Sequence, residues 1–585
     1  MRLKSKKDLS KRAFFSGCIS ALMLVLVLGS CTAQRQLRKE GAYKCDNDTR
    51  DIPEPGTRKP KLYWDSIERT LFNQGEQLLD MERNFRKLFG RPEQARNINS
   101  LDEVPDCCWF TNRHGFDRMS PEQIARGRVV TGGPDTSGVW TVFRPKVGGA
   151  TPGFWIKDKH GHQYMMKFDP PGYPEMATAA SAISCRYFYA CGYNVPEETI
   201  VYWKPEILKV QEGVTYTDDD GREQPFTQEH LLSILKDVHQ TPDGYIRSLA
   251  SLSLGNVKGP FSFDGTRRDD PNDWCPHQHR RELRALYVMA SLVNHHDTKD
   301  MNTMDTYEEK DGRRFLKHHL LDFGSTLGSD GDAPKPPLKG YANVFDLRDV
   351  MVSLFTLGTK TWPWEYAKPV EYPSIGYFES EIFEPDKFNP IIPNPAFEEM
   401  TDRDAYWGAK IVMSFRDADL KALVKAGQYS NPEAEAFLLK TLIERRDKIG
   451  RHWFGKVNPL DNFEIRDAGA SLEISFDDLA VAYGLEDARH ATYELSIRYD
   501  GEEIIAGRTS PETGFALSEA DLDLMKSRYL TPRADDDYER HAFEVRIRTR
   551  RGGGSWSRPT ALWLWYTAED QSLALAGLEH LDVTK

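Results

Sequence analysis

The chain has 585 residues and a mass of 66.9 kDa, which at ~150 residues per domain allows three or four domains. Apolar residues make up 39% and charged residues 28%, a globular mixture that excludes a disordered chain. With 77 basic against 89 acidic side chains the net charge is −12, so no basic footprint points to nucleic acid, and a single long apolar run excludes a multi-span membrane protein.

That run opens the chain. Arg2, Lys4, Lys6, Lys7, Lys11 and Arg12 precede FFSGCISALMLVLVLGS and Cys31, the pattern of a secretory signal over residues 1–30. Leu28-Gly29-Ser30-Cys31 resembles the bacterial lipobox, in which the Cys is lipidated and becomes the first mature residue; an ordinary signal with an incidental Cys is the alternative. The resemblance implies a lipid anchor on Cys31 that holds the protein to a membrane without spanning it. Thr32, in place of Asp, favours the outer membrane of a Gram-negative envelope, on its periplasmic or surface face. The signal carries six basic and one acidic residue, so its removal leaves a net charge of −17. Six cysteines remain beyond Cys31: Cys45, Cys107, Cys108, Cys185, Cys191 and Cys275. They are expected as disulfides or buried thiols rather than as a zinc site, because no CxxC pair occurs.

Residues 32–60 are polar and Pro-rich and read as a tether, and residues 62–98 carry a helical pattern with Leu71, Phe72, Leu78, Leu79, Met81 and Phe85. Residues 106–205 read as short strands followed by a helix from about Glu175 to Ala190. Residues 280–455 read as mostly helical, with one helix starting at Asn431-Pro432 and stopping at Gly450. The Pro- and aromatic-rich stretch 360–398 is expected as a long ordered loop, its residues either packing or offering an acceptor-binding surface. From Ala470 the period changes to two. Leu472, Ile474 and Phe476, then Tyr493, Leu495, Ile497 and Tyr499, then Phe543, Val545 and Ile547 alternate with polar residues. With SWSRPTALWLWY as the last strand, this predicts a C-terminal all-β sandwich that resembles fibronectin type III or immunoglobulin-like modules.

Two strings in the middle carry chemistry. The first is Asn294-His295-His296-Asp297-Thr298-Lys299-Asp300-Met301-Asn302, and the second is His319-Leu320-Leu321-Asp322-Phe323-Gly324-Ser325. An isolated Asp-Phe-Gly arises by chance in roughly one chain in ten of this length. Paired with Asp-x-Lys-x-x-Asn shortly before it, the combination is far rarer. Phosphoryl transfer gives this spacing a reason: one carboxylate near the attacking hydroxyl, and a second carboxylate plus an amide oxygen to hold Mg²⁺ on nucleotide phosphates. A Lys two residues after the first Asp can reach the transferring phosphate. Leu283, Leu286, Tyr287, Ala290 and Val293 form an apolar helix face leading into this loop, and residues 313–321 read as a strand entering Asp322.

On these motifs the region from about 140 to 455 resembles the protein-kinase-like fold, closer to its HipA-like, spore-coat CotH-like and secreted Fam20-like branches than to ordinary eukaryotic kinases. The resemblance implies Asp297 as catalytic base, Lys299 near the γ-phosphate, Asn302 and Asp322 as ligands of Mg²⁺ (or Mn²⁺), and ATP as cofactor. His295 would hold the catalytic loop by hydrogen bonds. Upstream, Val147-Gly148-Gly149-Ala150-Thr151-Pro152-Gly153 is a Gly-rich turn followed by a strand bearing Lys167. Gly148, Gly149 and Lys167 then fall as phosphate loop and nucleotide lysine, with a plain hairpin as the alternative. Glu175, eight residues on, is either the carboxylate partner of Lys167 or a residue serving a helix N-terminus. No Ala-Pro-Glu follows, so the activation segment cannot be placed. His277, His279, His295, His296, His318 and His319 fit no zinc spacing, and neither HExxH nor GxSxG occurs.

The expected architecture is α+β: a bilobal protein-kinase-like core followed by a C-terminal all-β sandwich. Its divisions are a signal (1–30), a lipidated tether and helical segment (31–105), an N-lobe (106–255), a C-lobe (256–458) and the β-sandwich (465–585). The expected function is an exported, lipid-anchored phosphotransferase that moves the γ-phosphate of ATP to a hydroxyl of an envelope protein, glycan or lipid. Transfer of AMP is a variant of the same reading. The rivals are a pseudokinase scaffold of the envelope and a binding or surface-assembly lipoprotein whose motifs are coincidental.

Overall fold

The computed structural model describes residues 48–59, 79–89, 92–146, 153–217, 222–344, 352–357, 359–529, 542–567 and 572–581. Cys31, the apolar run, Cys45, Gly148 and Gly149 lie outside them. Among the described residues no helix is long and apolar enough to cross a membrane.

The chain is a mixed α+β protein with several sheets. After helices α1 (Met81–Leu88) and α2 (Pro121–Arg126) come strands β1 (Trp140–Pro145), β2 (Gly153–Lys157) and β3 (Gln163–Lys167), an antiparallel meander. Helix α3 (Met176–Cys191) follows, then β4 (Glu198–Trp203), β5 (Leu208–Val210), a small β6–β7 hairpin (Thr215–Thr217, Glu223–Pro225), α4 (Gln228–Leu235) and β8 (Ile246–Leu252). Six of these strands form one sheet in the order β4-β8-β3-β2-β1-β5. One face of it packs Trp140, Phe154, Tyr164, Met166 and Trp203 with α4. Helix α3 (MATAASAISCRYFYAC) is almost wholly buried, because its Ala, Ser and Cys side chains let neighbours approach closely.

A second sheet, β9 (Val257–Gly259), β10 (Thr303–Lys310) and β11 (Arg313–Leu320), has the order β11-β10-β9. Helix α5 (Arg281–Leu292) leads into the loop before β10. Helices α6 (Asp402–Ser414), α7 (Asp417–Ala426) and α8 (Pro432–Phe454) complete the main apolar cluster with α3 and α5. Asn431 caps α8, as its sequence predicts, but the helix continues through Gly450 to Phe454. A Cβ at 450 would lie 2.5 Å from Met413 Sδ, so that glycine permits a close helix–helix approach and not a stop. Within 280–455 the strand read at 313–321 is β11, paired with β10 in a hairpin, and the Pro-aromatic stretch expected as an ordered loop is anchored by Ile375, Phe378, Phe383 and Phe388 in the main core.

The described part of the tether, 48–59, is not free. Ile52 N donates to Arg314 O and Arg58 N to Lys258 O, both at 2.9 Å, so this Pro-containing segment bonds to both edge strands of the second sheet. Side chains fix it as well: Cys108 N donates to Asp48 Oδ1 at 3.1 Å, Arg314 N to Asp51 Oδ1 at 2.8 Å, and Ile52 is buried with Tyr307 and Leu316.

The C-terminal strands begin earlier than the period change suggests. Strands β12 (Leu460–Asp467), β13 (Leu472–Asp478) and β16 (Gly514–Leu517) form one sheet. Strands β14 (Ala491–Tyr499), β15 (Glu502–Ser510), β17 (Phe543–Arg551), β18 (Thr560–Thr567) and β19 (Ser572–His580) form another, in the order β15-β14-β17-β18-β19. Both sheets supply one apolar cluster, including Leu472, Ile474, Leu495, Ile497, Val545 and Leu562. Helix α9 (Glu519–Tyr529) lies between β16 and β17. Strand β19 is an addition to the expected set; it comes after the string read as the last strand.

Candidate active site

The site gathers where the first sheet meets the second. Lys167 closes β3 and pairs across to Gly153 on β2 and Leu249 on β8. Its Nζ bonds Asp322 Oδ1 at 2.9 Å, joining positions 155 residues apart. Asp322 follows β11 in a left-handed conformation (φ 58°, ψ 69°) that releases the chain from the strand, and its side chain is 56% exposed.

Strand register brings Asn302 to the same place. Thr303 pairs with Leu320, and Leu321 N donates to Asn302 O at 2.8 Å, so Asn302 sits beside the start of the Asp322 turn. The loop before it closes on itself. Asn302 Nδ2 donates to Asp297 O at 2.8 Å and to Asp297 Oδ2 at 2.9 Å, while Lys299 Nζ pairs with Asp297 Oδ1 at 2.7 Å. Both amide hydrogens of Asn302 thus face Asp297, which turns its amide oxygen away.

Electrostatics favour an ionised Asp322. The Lys167 field dominates and, with Lys146 assisting, holds its carboxyl down to about 2 against the cost of burial. Burial works against the Lys167 ammonium, but the fields of Asp322 and then Glu198 outweigh it and raise its pKa. Glu198, on β4, is buried, and burial raises its carboxyl while Lys167 pulls the other way; it accepts from Ser181 Oγ of α3 at 2.8 Å.

Of the two readings of Glu175, its place at a helix N-terminus is the one seen. It stands just before α3 with φ 72° and accepts the Ser430 backbone N–H at 3.0 Å, making no side-chain cap. The carboxylate that flanks Lys167 from the sheet is Glu198, which sequence reasoning missed; its residue type in Val-Pro-Glu-Glu-Thr-Ile gives no sign of the strand register that places it.

Behind the loop, Phe323 is fully buried and stacks on Phe188 of α3 (ring centroids 5.2 Å apart). His295 lies 5.7 Å from Phe323 and 5.6 Å from Phe188. Burial, with the Lys335 field, lowers His295 to about 3 and His296 to about 4, so both imidazoles are neutral at pH 7. His295 holds its place by ring packing and its backbone N–H to Ala290 O; its Nδ1 has no hydrogen-bond partner, unlike the expected role. Thr326 Oγ1 donates to Phe323 O, and Ser184 of α3 lies 2.7 Å from that hydroxyl. Buried Lys335 donates to Asn294 O at 2.7 Å and Ser325 O at 3.2 Å, stapling the two motif loops together.

The five described cysteines, Cys107, Cys108, Cys185, Cys191 and Cys275, form no disulfide. Burial raises their thiols, that of Cys275 to about 12, so none is a reactive thiolate.

No family model matches the chain, and no curated protein matches it. Among solved structures it is similar to the Helicobacter pylori proinflammatory kinase CtkA, at 11% identity over 53% of this chain and 94% of that one, with a TM-score of 0.29. It is also similar to the Golgi casein kinase, at 9% identity over 57% and 72% with a TM-score of 0.24. The same kinase with Mn/ADP bound matches at 10% identity over 69% and 94%, with a TM-score of 0.25.

Proposed function

We propose that residues 106–458 form a bilobal protein-kinase-like phosphotransferase, with residues 106–255 and 256–458 as its lobes and 465–585 as a β-sandwich that positions it. The observation that carries this reading is the Lys167–Asp322 ion pair, which joins the two motif-bearing regions with Asn302 in register beside it. The donor set fits a divalent ion: an ionised, half-exposed carboxylate on Asp322 and an amide oxygen on Asn302 turned away from Asp297. Mg²⁺ or Mn²⁺ bound there would neutralise phosphate charge.

The chain's own residues supply the remaining steps. Lys167 would bind nucleotide phosphates, with Glu198 keeping its ammonium in place. Asp297 takes the proton of the acceptor hydroxyl as that oxygen bonds to the γ-phosphorus. The bond from γ-phosphorus to the β–γ bridging oxygen breaks, its electron pair leaves with ADP, and Lys299 meets the charge on the transferring group. We place this enzyme in the cell envelope, held by lipid on Cys31, acting on a hydroxyl of an envelope protein, glycan or lipid.

Metal-dependent nucleotide binding tests the assignment. Asp322→Ala should abolish Mg²⁺-dependent ATP binding, whereas Asp297→Ala should bind nearly as wild type and transfer nothing. Equal loss in both variants with unchanged melting temperature would contradict the roles.

A further inference from the structure

Lys146 stands at the end of β1, where the chain enters the Gly-rich turn. Its backbone N–H donates to Gly153 O at 3.0 Å, which closes the β1–β2 ladder. Gly153 faces Lys167 across the β2–β3 pair, and residues directly opposite in an antiparallel pair project to the same side of the sheet. The space that a Cβ on Gly153 would take is bounded by Met166 O at 2.5 Å and by Lys146 Cδ at 3.1 Å. The stem of Lys146 therefore runs along the Lys167 face of the sheet, in room that only a glycine leaves open.

The charges agree with that path. Lys146 contributes to holding Asp322 ionised. Burial and the neighbouring Lys167 lower Lys146 itself, and Asp322 opposes them. Two ammonium groups thus act on one half-exposed carboxylate, while Glu198 also serves Lys167. A divalent ion held by Asp322 would leave both ammonium groups to a polyphosphate, whose charge matches two lysines better than one.

We propose that Lys146 is a second phosphate-binding residue, gripping the polyphosphate of a nucleoside triphosphate from the hairpin side while Lys167 grips it from the strand. This rests on the phosphotransferase reading of the same site. Its consequence is selectivity: the Lys146 contact favours nucleotides over the bare nucleoside.

The test measures dissociation constants of ATP and of adenosine, with Mg²⁺, for the full-length chain in detergent and its Lys146→Met and Lys146→Arg variants. Loss of a charge-assisted bond predicts an ATP affinity about tenfold to a hundredfold weaker in Lys146→Met, with adenosine affinity and melting temperature unchanged. Lys146→Arg should recover most of it. ATP affinity within twofold of wild type in Lys146→Met, equal loss for ATP and adenosine, or failure of Arg to rescue would overturn the inference and leave the phosphotransferase reading standing. No ATP binding by the wild type, with the chain folded, would overturn both.

Discussion

Glu198 and Glu175 show how far residue type alone carries. Both are glutamates near Lys167 in sequence terms, but strand pairing brings only the first into its field, and the second holds the chain at Ser430. Glu198→Gln is therefore expected to lower turnover by about tenfold while leaving the fold intact, because Lys167 loses the charge that keeps its ammonium poised. Glu175→Gln should leave nucleotide affinity unchanged. Steady-state kinetics on the two variants check this, and the opposite ranking would restore Glu175. By contrast the grouping of Asp297, Lys299 and Asn302 is visible in the sequence because their spacing within one loop is local, whereas Asp322 joins them through the register of the β10–β11 hairpin.

His295 supports a prediction in pH. Its folded pKa of about 3 lies below the ordinary value of about 6.5, so the unfolded chain binds a proton that the folded one refuses. The neutral ring's contribution is complete above pH 6.5 and declines as pH falls toward 3. His296, at about 4, behaves the same way. Unfolding free energies from urea titrations should be lower at pH 5 than at pH 7 by about 1–2 kcal/mol for each buried imidazole. His295→Phe should flatten that slope by one proton, and an unchanged slope would mean that the ring is already charged in the folded state.

At the scale of elements, Phe323 is the pin between the Asp322 turn and α3. Truncation to Ala leaves a cavity against Phe188 and His295 and should cost about 3–5 kcal/mol. It should also weaken metal-dependent nucleotide binding, since the turn that aims Asp322 then lacks its anchor. A calorimetric melt and a binding isotherm read the two effects separately, and loss of stability with binding intact would limit Phe323 to packing. Hydrophobic periodicity correctly predicts the buried α5, the strand into Asp322 and the alternating C-terminal strands. It fails where packing overrides local signals: at Gly450, where a tight helix contact looks like a stop, and in 48–59, where a polar segment is fixed to the second sheet by backbone and side-chain bonds.

Across the whole molecule, the C-terminal sheets are joined to the helices by a buried charge network. Asp102 pairs with Arg281 of α5 and Arg403 of α6, each at 2.8 Å, and with His580 of β19 at 3.1 Å. Arg403 also reaches Glu579, and Leu578 N donates to Ser100 O. Removing one member of such a network strands the others, so Asp102→Ala should cost about 3–5 kcal/mol and lower a single shared melting transition of helices and sheets. A melting temperature equal to wild type would contradict the network's role. Nothing in the sequence makes this network visible, because it depends on contacts between residues hundreds of positions apart.

The most direct measurement of the central claim is the intact mass of the chain after incubation with ATP and Mg²⁺ or Mn²⁺ and a detergent extract of envelope acceptors, alongside Asp297→Ala. The account predicts a phosphoryl-sized gain on the chain or on an acceptor that is absent with the variant. An adenylyl-sized gain would contradict γ-phosphate transfer, and no gain with either protein, although ATP binds, would place the chain among non-catalytic nucleotide-binding scaffolds.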